Sequence, residues 1–179
     1  MVDYQTISIL FAGLSIAVSI VYYAGVLRNA NKTQQLQLET RKTQLFMQIY
    51  ERLNSEESLK SWAELVNQEI NDYDEFLMKY DSSVNPAHYA KRVHHWYTYH
   101  AIGELLRMGA IEPELVHRLQ LAPLVILMWE KWEHIIKEMR LRENAPDYSE
   151  GFEYLYYELK RIRDKKGYSD WNYPQQTIP

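Results

Sequence analysis

The sequence predicts an all-α protein: an N-terminal transmembrane helix continuing into a stalk helix, followed by a compact multi-helix domain. Three observations carry that prediction. Ile7–Leu27 (ISILFAGLSIAVSIVYYAGVL) runs for 21 residues without a charge. No glycine or proline stands between Gly25 and Pro86, so the strongest helix breakers are missing from a long central stretch. Beyond Asn54 apolar residues recur at steps of three and four, and no stretch alternates apolar and polar between turn signals as a half-buried strand would.

The first element is the apolar run. A helix needs roughly 20 such residues to cross about 30 Å of hydrocarbon. Tyr4 lies before it and Tyr22 and Tyr23 near its end, about 28 Å apart on a helix, the separation of two interfacial aromatic belts. A cleaved signal peptide would have a basic leader, a shorter apolar run and a small-residue cleavage site; here only Asp3 precedes the run and no such site follows. Arg28, Lys32, Arg41 and Lys42 follow the span, whereas no Lys or Arg precedes it. The positive-inside rule then predicts a single-pass protein of the cell membrane, N-terminus outside and C-terminal domain cytoplasmic. Ser8, Ala12, Ser15 and Ser19 fall at steps of four, three and four, a small-residue stripe suited to close packing against another span.

The second element is the stalk. NKTQQLQLETRKTQLFMQIYERLN is rich in helix formers, and Leu38, Leu45, Ile49 and Leu53 trace one apolar stripe interrupted by Lys42. The pattern is coiled-coil-like, but two heptads fall short of the three or four that define one. A new helix is expected from the capping box Asn54–Glu57, another from Asp72–Glu75, and a third from Asn85–Pro86 to Gly109. Pro113 opens a short helix to about Leu119, and Pro123 a longer one ending before Asn144. Trp129, Trp132, Ile136 and Met139, with Val125, form the core stripe of that longer helix. Ser149 is expected to cap the last helix, closed by Gly167. The boundaries are therefore 1–28 for the anchor, 29–53 for the stalk, 54–167 for the helical domain and 168–179 for a loose tail.

Composition limits the function. The chain has 179 residues, 46% apolar and 25% charged, which fits a folded protein. Without cysteine it has no disulfide, thiolate metal site or cysteine nucleophile. The net charge of −4 argues against nucleic acid as a partner. Apart from the −1 of Asp3, it resolves into +3 over residues 28–53 and −6 over 54–179, a basic stalk suited to an anionic leaflet and an acidic domain.

Candidate chemistry is sparse. His88, His94, His95 and His100 share the helix after Pro86, and His100 and Glu104 share one face with Arg107 at its edge. Such a group suits a metal ion or acid–base pair, or simply a polar seam that fixes helix register. Glu114 and His117 have the Glu-x-x-His spacing of di-iron bundles, but in a single copy. Glu130 with His134 and Glu133 with Lys137 are expected as i,i+4 pairs on a solvated face. KRIRDKK ends the last helix, where basic residues suit the dipole or a second contact with anionic lipid. No phosphate-binding Gly-rich loop, G-x-S-x-G elbow or H-E-x-x-H pair occurs, so no cofactor is implied and an enzyme is disfavoured. The 15 tyrosines suit partner-facing surfaces as well as a partly buried helical core.

The stretch VLRNANKTQQLQLETRKTQLFMQIYERLNSEES, together with the span before it, resembles prokaryotic membrane-anchored hypothetical proteins of unknown function. In these a single N-terminal span leads through a Gln/Thr-rich helical stalk into a helical cytoplasmic domain. The resemblance covers the first third of the chain closely and the remainder by layout, and it implies no activity or catalytic residue. The reading is thus a membrane-tethered interaction or scaffolding module whose partners are the lipid bilayer and a protein or its own copy. The alternatives are an accessory single-span subunit of a larger membrane complex, or a metal-binding or acid–base enzyme using the His100–Glu104 region. The sequence names no small-molecule ligand.

Overall fold

The computed structural model describes residues 3–168, so all of the expected tail except Tyr168 lies outside the described residues. Every regular element among them is helical, as the sequence predicts. The chain divides into two units, the first reaching to Gln44 and the second beginning at Leu45.

The first unit is most of α1 (Tyr4–Leu53). Its apolar side chains have no cover: Ile9, Leu10, Phe11, Leu14, Ile16, Val18, Ile20 and Val21 are all exposed. It is the one helix among the described residues long and apolar enough to cross a membrane.

The second unit holds the end of α1 and α2 (Glu56–Asn67), α3 (Tyr73–Tyr80), α4 (Pro86–Arg107), α5 (Pro113–Arg118), α6 (Ala122–Arg142) and α7 (Glu150–Lys165). Helix starts follow local chemistry. Asp72 accepts from the Glu75 N–H at 2.8 Å and Asn85 from the His88 N–H at 3.0 Å, with proline in the first turn of α4, α5 and α6. Two caps differ from expectation. Ser55, not Asn54, caps α2 by accepting from the Ser58 N–H at 3.2 Å, while the Asn54 amide donates to the Tyr50 carbonyl. Ser149 sits at the N-cap of α7 but is left-handed (φ 58°), and its buried hydroxyl caps nothing.

The core is aromatic. Trp129 and Trp132 of α6 and Trp96 of α4 are fully buried, Trp96 and Trp132 meeting edge to face at 5.4 Å and Trp129 with Phe152 at 5.0 Å. Trp62 of α2 donates to the Leu124 carbonyl at 3.0 Å. The stalk stripe divides: Leu38 and Leu45 are exposed, Ile49 is half-buried and Leu53 buried, while Phe46, one residue off the stripe, is fully buried in the domain core.

Candidate functional site

Helix α4 carries His88, His94, His95, His100, Glu104 and Arg107, and its packing decides what each can do. His100 lies where α4 crosses α7. Its Nδ1 accepts from the Gly151 backbone N–H at 3.0 Å, which fixes the proton of the neutral ring on Nε2. Glu104 does not bond His100; it pairs with Arg107 at 3.2 Å, and Arg107 reaches across to Glu150 on α7 at 3.0 Å. Arg107 raises its own pKa through Glu150 and holds the Glu150 carboxyl below its usual range. The three residues thus meet as a seam between two helices, with the His100 lone pair nearest the backbone already engaged.

His95 is the buried histidine. Its Nε2 lies 2.8 Å from the Ser61 hydroxyl of α2, a separation that in isolation suits a nucleophile and its base. The proton inventory points elsewhere. Ser61 donates its single hydroxyl proton to the Ser58 carbonyl at 2.9 Å, so it accepts from Nε2–H of His95. Burial, and then the neighbouring His94, push the His95 pKa down to about 4. Its Nδ1 has no hydrogen-bond partner among the described residues. His95 is therefore a neutral donor that ties α4 to α2. His88 behaves alike: its Nε2 meets the Gln68 side-chain amide oxygen at 2.7 Å, its ring lies tilted against Tyr80 with the ring centres 4.3 Å apart, and burial lowers its pKa to about 4.

Glu114 and His117 lie on α5. Glu114 is exposed, while the His117 ring stacks on Tyr168 at 6.2 Å. Burial first, then Lys166 and Arg163, lower the His117 pKa, and two nearby cations oppose a bound metal. Among the described residues no group of three His, Asp or Glu side chains gathers to hold a metal ion. Glu133 pairs with Lys137 at 2.5 Å, but Glu130 meets Tyr156 at 3.2 Å and Lys160 at 3.5 Å on α7 rather than His134.

On α1, Tyr4, Tyr22, Tyr23, Arg28, Lys32, Arg41 and Lys42 are all exposed. So are Ser8, Ala12, Ser15 and Ser19. Ser15 and Ser19 donate to the carbonyls of Phe11 and Ser15, each at 2.8 Å, so their hydroxyls are satisfied within the helix. With Tyr23 and Ala24 they line a shallow groove along that face.

Sequence reasoning passed over Arg92. Its four neighbours one turn away on α4, His88, Tyr89, His95 and Trp96, are all aromatic, which is the signal that marks it.

Residues 6–159 match the family described as a domain of unknown function, DUF4760. The chain belongs to the DUF4760 family. The matched region takes in both the apolar part of α1 and the helical domain through Leu159, so the two are features of one family domain. No curated protein and no solved structure matches the chain.

Proposed function

We propose that this DUF4760 protein is a single-span membrane protein whose helical domain works by binding, as an interaction or scaffolding module on the cytoplasmic side. The observation that carries the reading is the complete exposure of an uncharged 21-residue helical segment. In water such a surface would lose its hydrophobic stabilisation, about 25 cal/mol for each Å² left uncovered; in hydrocarbon that cost vanishes. Tyr4, Tyr22 and Tyr23 supply the interfacial rings, and Arg28, Lys32, Arg41 and Lys42 the basic flank that selects a cytoplasmic domain. A binding role is favoured because His88, His95, His100 and Arg107 of α4, the groups that chemistry would draw on, are engaged in fixing helices to one another.

Protease added to sealed inverted vesicles tests the orientation, since it should digest the domain; a protected domain would refute it. Alkaline carbonate should leave the protein in the membrane fraction, and its release would refute the anchor.

The self-satisfied serine face of α1 favours a second reading, an accessory single-span subunit or a self-associating tether. Small residues let helix backbones approach closely in lipid. Cross-linking and affinity capture from native membranes separates these: recovery of other membrane subunits supports the accessory role, and recovery of self alone supports homo-oligomeric tethering.

A further inference from the structure

Arg92 is a buried cation without a counter-ion among the described residues. It is 2% exposed, with its guanidinium 4.7 Å from the ring centres of Phe76 and Trp96 and 5.3 Å from that of Tyr89. Among the described residues no carboxylate forms an ion pair with it. One Nη rests 4.0 Å from the Met139 sulfur, a weak acceptor, and the Nε–H has no partner among the described residues. Asp81 feels the charge, but its Oδ1 accepts from Ser83 at 2.8 Å (backbone) and 2.6 Å (hydroxyl).

Ring faces offset part of the cost of removing a guanidinium from water, yet they offer no in-plane acceptor for its N–H fork. Arginine keeps its charge at neutral pH even where burial lowers its pKa. Around it stand four phenols, those of Tyr73, Tyr89, Tyr97 and Tyr148, close enough to bear on the charge. Tyr73 already donates to Glu143 at 2.8 Å. Tyr89 and Tyr97 are exposed, so the guanidinium lies one side-chain layer below the surface. Exposed rings change rotamer on the ps–ns scale, which leaves a route inward.

We propose that the Arg92 cage is a receptor for a compact oxyanion, the phosphate ester or carboxylate of a ligand that enters past Tyr89 and Tyr97. Two coplanar oxygens match the guanidinium fork, and because Tyr97 and Tyr148 are hydrogen-bonded to each other, the one phenol proton left over in that pair donates to what remains. A spherical halide has no such fork to offer.

The test uses the full-length protein in neutral-detergent micelles. Tryptophan fluorescence, reporting through Trp96 against Arg92, is followed while phosphate, acetate or chloride is titrated at fixed ionic strength. The same measurement in nanodiscs compares neutral with anionic phospholipid. A saturable response to phosphate or acetate but not chloride, abolished in Arg92→Met and weakened about tenfold in Tyr148→Phe, supports a soluble oxyanion. An Arg92-dependent response confined to anionic nanodiscs supports a lipid headgroup. No Arg92-dependent response in any arm, or an equal response in Arg92→Met, overturns the proposal. Should Arg92→Met fail to fold, Tyr148→Phe and Tyr97→Phe carry the test, and unchanged affinity in both overturns it.

Discussion

Gly103 of α4 faces Gly151 of α7 so closely that a Cβ placed on Gly103 would lie 1.8 Å from the Gly151 carbonyl oxygen. A Cβ on Gly151 would lie 2.4 Å from the His100 carbonyl oxygen. Both obstacles are backbone atoms and cannot swing aside. The paired glycines bring the helices near enough for the Gly151 N–H to reach His100 Nδ1 and for Arg107 to reach Glu150.

Gly103→Ala is therefore expected to force α4 and α7 apart and to destabilise the domain by about 1–3 kcal/mol or more, as overpacking does. For a chain of this size that lowers the melting temperature by about 2–4 °C per kcal/mol. Gly25→Ala is the control, because nothing lies within 4 Å of its added methyl. Thermal melts of the two variants should separate, and a Gly103→Ala melt equal to wild type would refute the close approach.

Acid sensitivity should arise well above the carboxylate range. His88 and His95 have folded-state pKa values of about 4, against 6.5 when exposed. Between those values the unfolded chain binds more protons, so stability rises with pH. The contribution is complete above about pH 6.5 and is lost as pH falls through about 4. Denaturant titrations at pH 7.5, 6 and 5 should show a progressive loss on the order of 1–3 kcal/mol. His95→Gln keeps a donor toward Ser61 without the titration, and its pH slope over this range should be shallower. An unchanged slope in His95→Gln would show that His95 does not titrate as its burial requires.

What was legible in the sequence was local. Asp72, Asn85–Pro86 and Pro113 announce helix starts through groups a few residues apart, and the α6 tryptophan stripe follows from helical period alone. The uncharged run declares itself without any tertiary information. The illegible features depend on which helices cross. Nothing near Gly103 in sequence points to Gly151, and nothing near Ser61 points to His95. Local rules also fail where two adjacent residues compete, as at Asn54 and Ser55, both of which suit an N-cap. Glu130 went astray for a related reason: its expected partner His134 lies on the same helix, but Lys160 on α7 comes within reach.

Phe46 shows where periodicity in the stalk misleads. The apolar stripe through Leu38, Leu45, Ile49 and Leu53 marks positions that could be covered, yet Leu38 remains 57% exposed and Leu45 47%, while Phe46 is at 0%. Phe46 belongs to the domain core together with Leu53, and Ile49 and Tyr50 pack against it, so the end of α1 is held in the compact unit by these side chains. Phe46→Ala should cost about 3–5 kcal/mol, the range for emptying a fully buried aromatic site. Leu38→Ala should stay within about 0.5 kcal/mol of wild type, as surface substitutions do. Chemical denaturation of both variants in the full-length protein reads the difference directly. Equal costs would mean that the stripe, not the core, holds this part of α1.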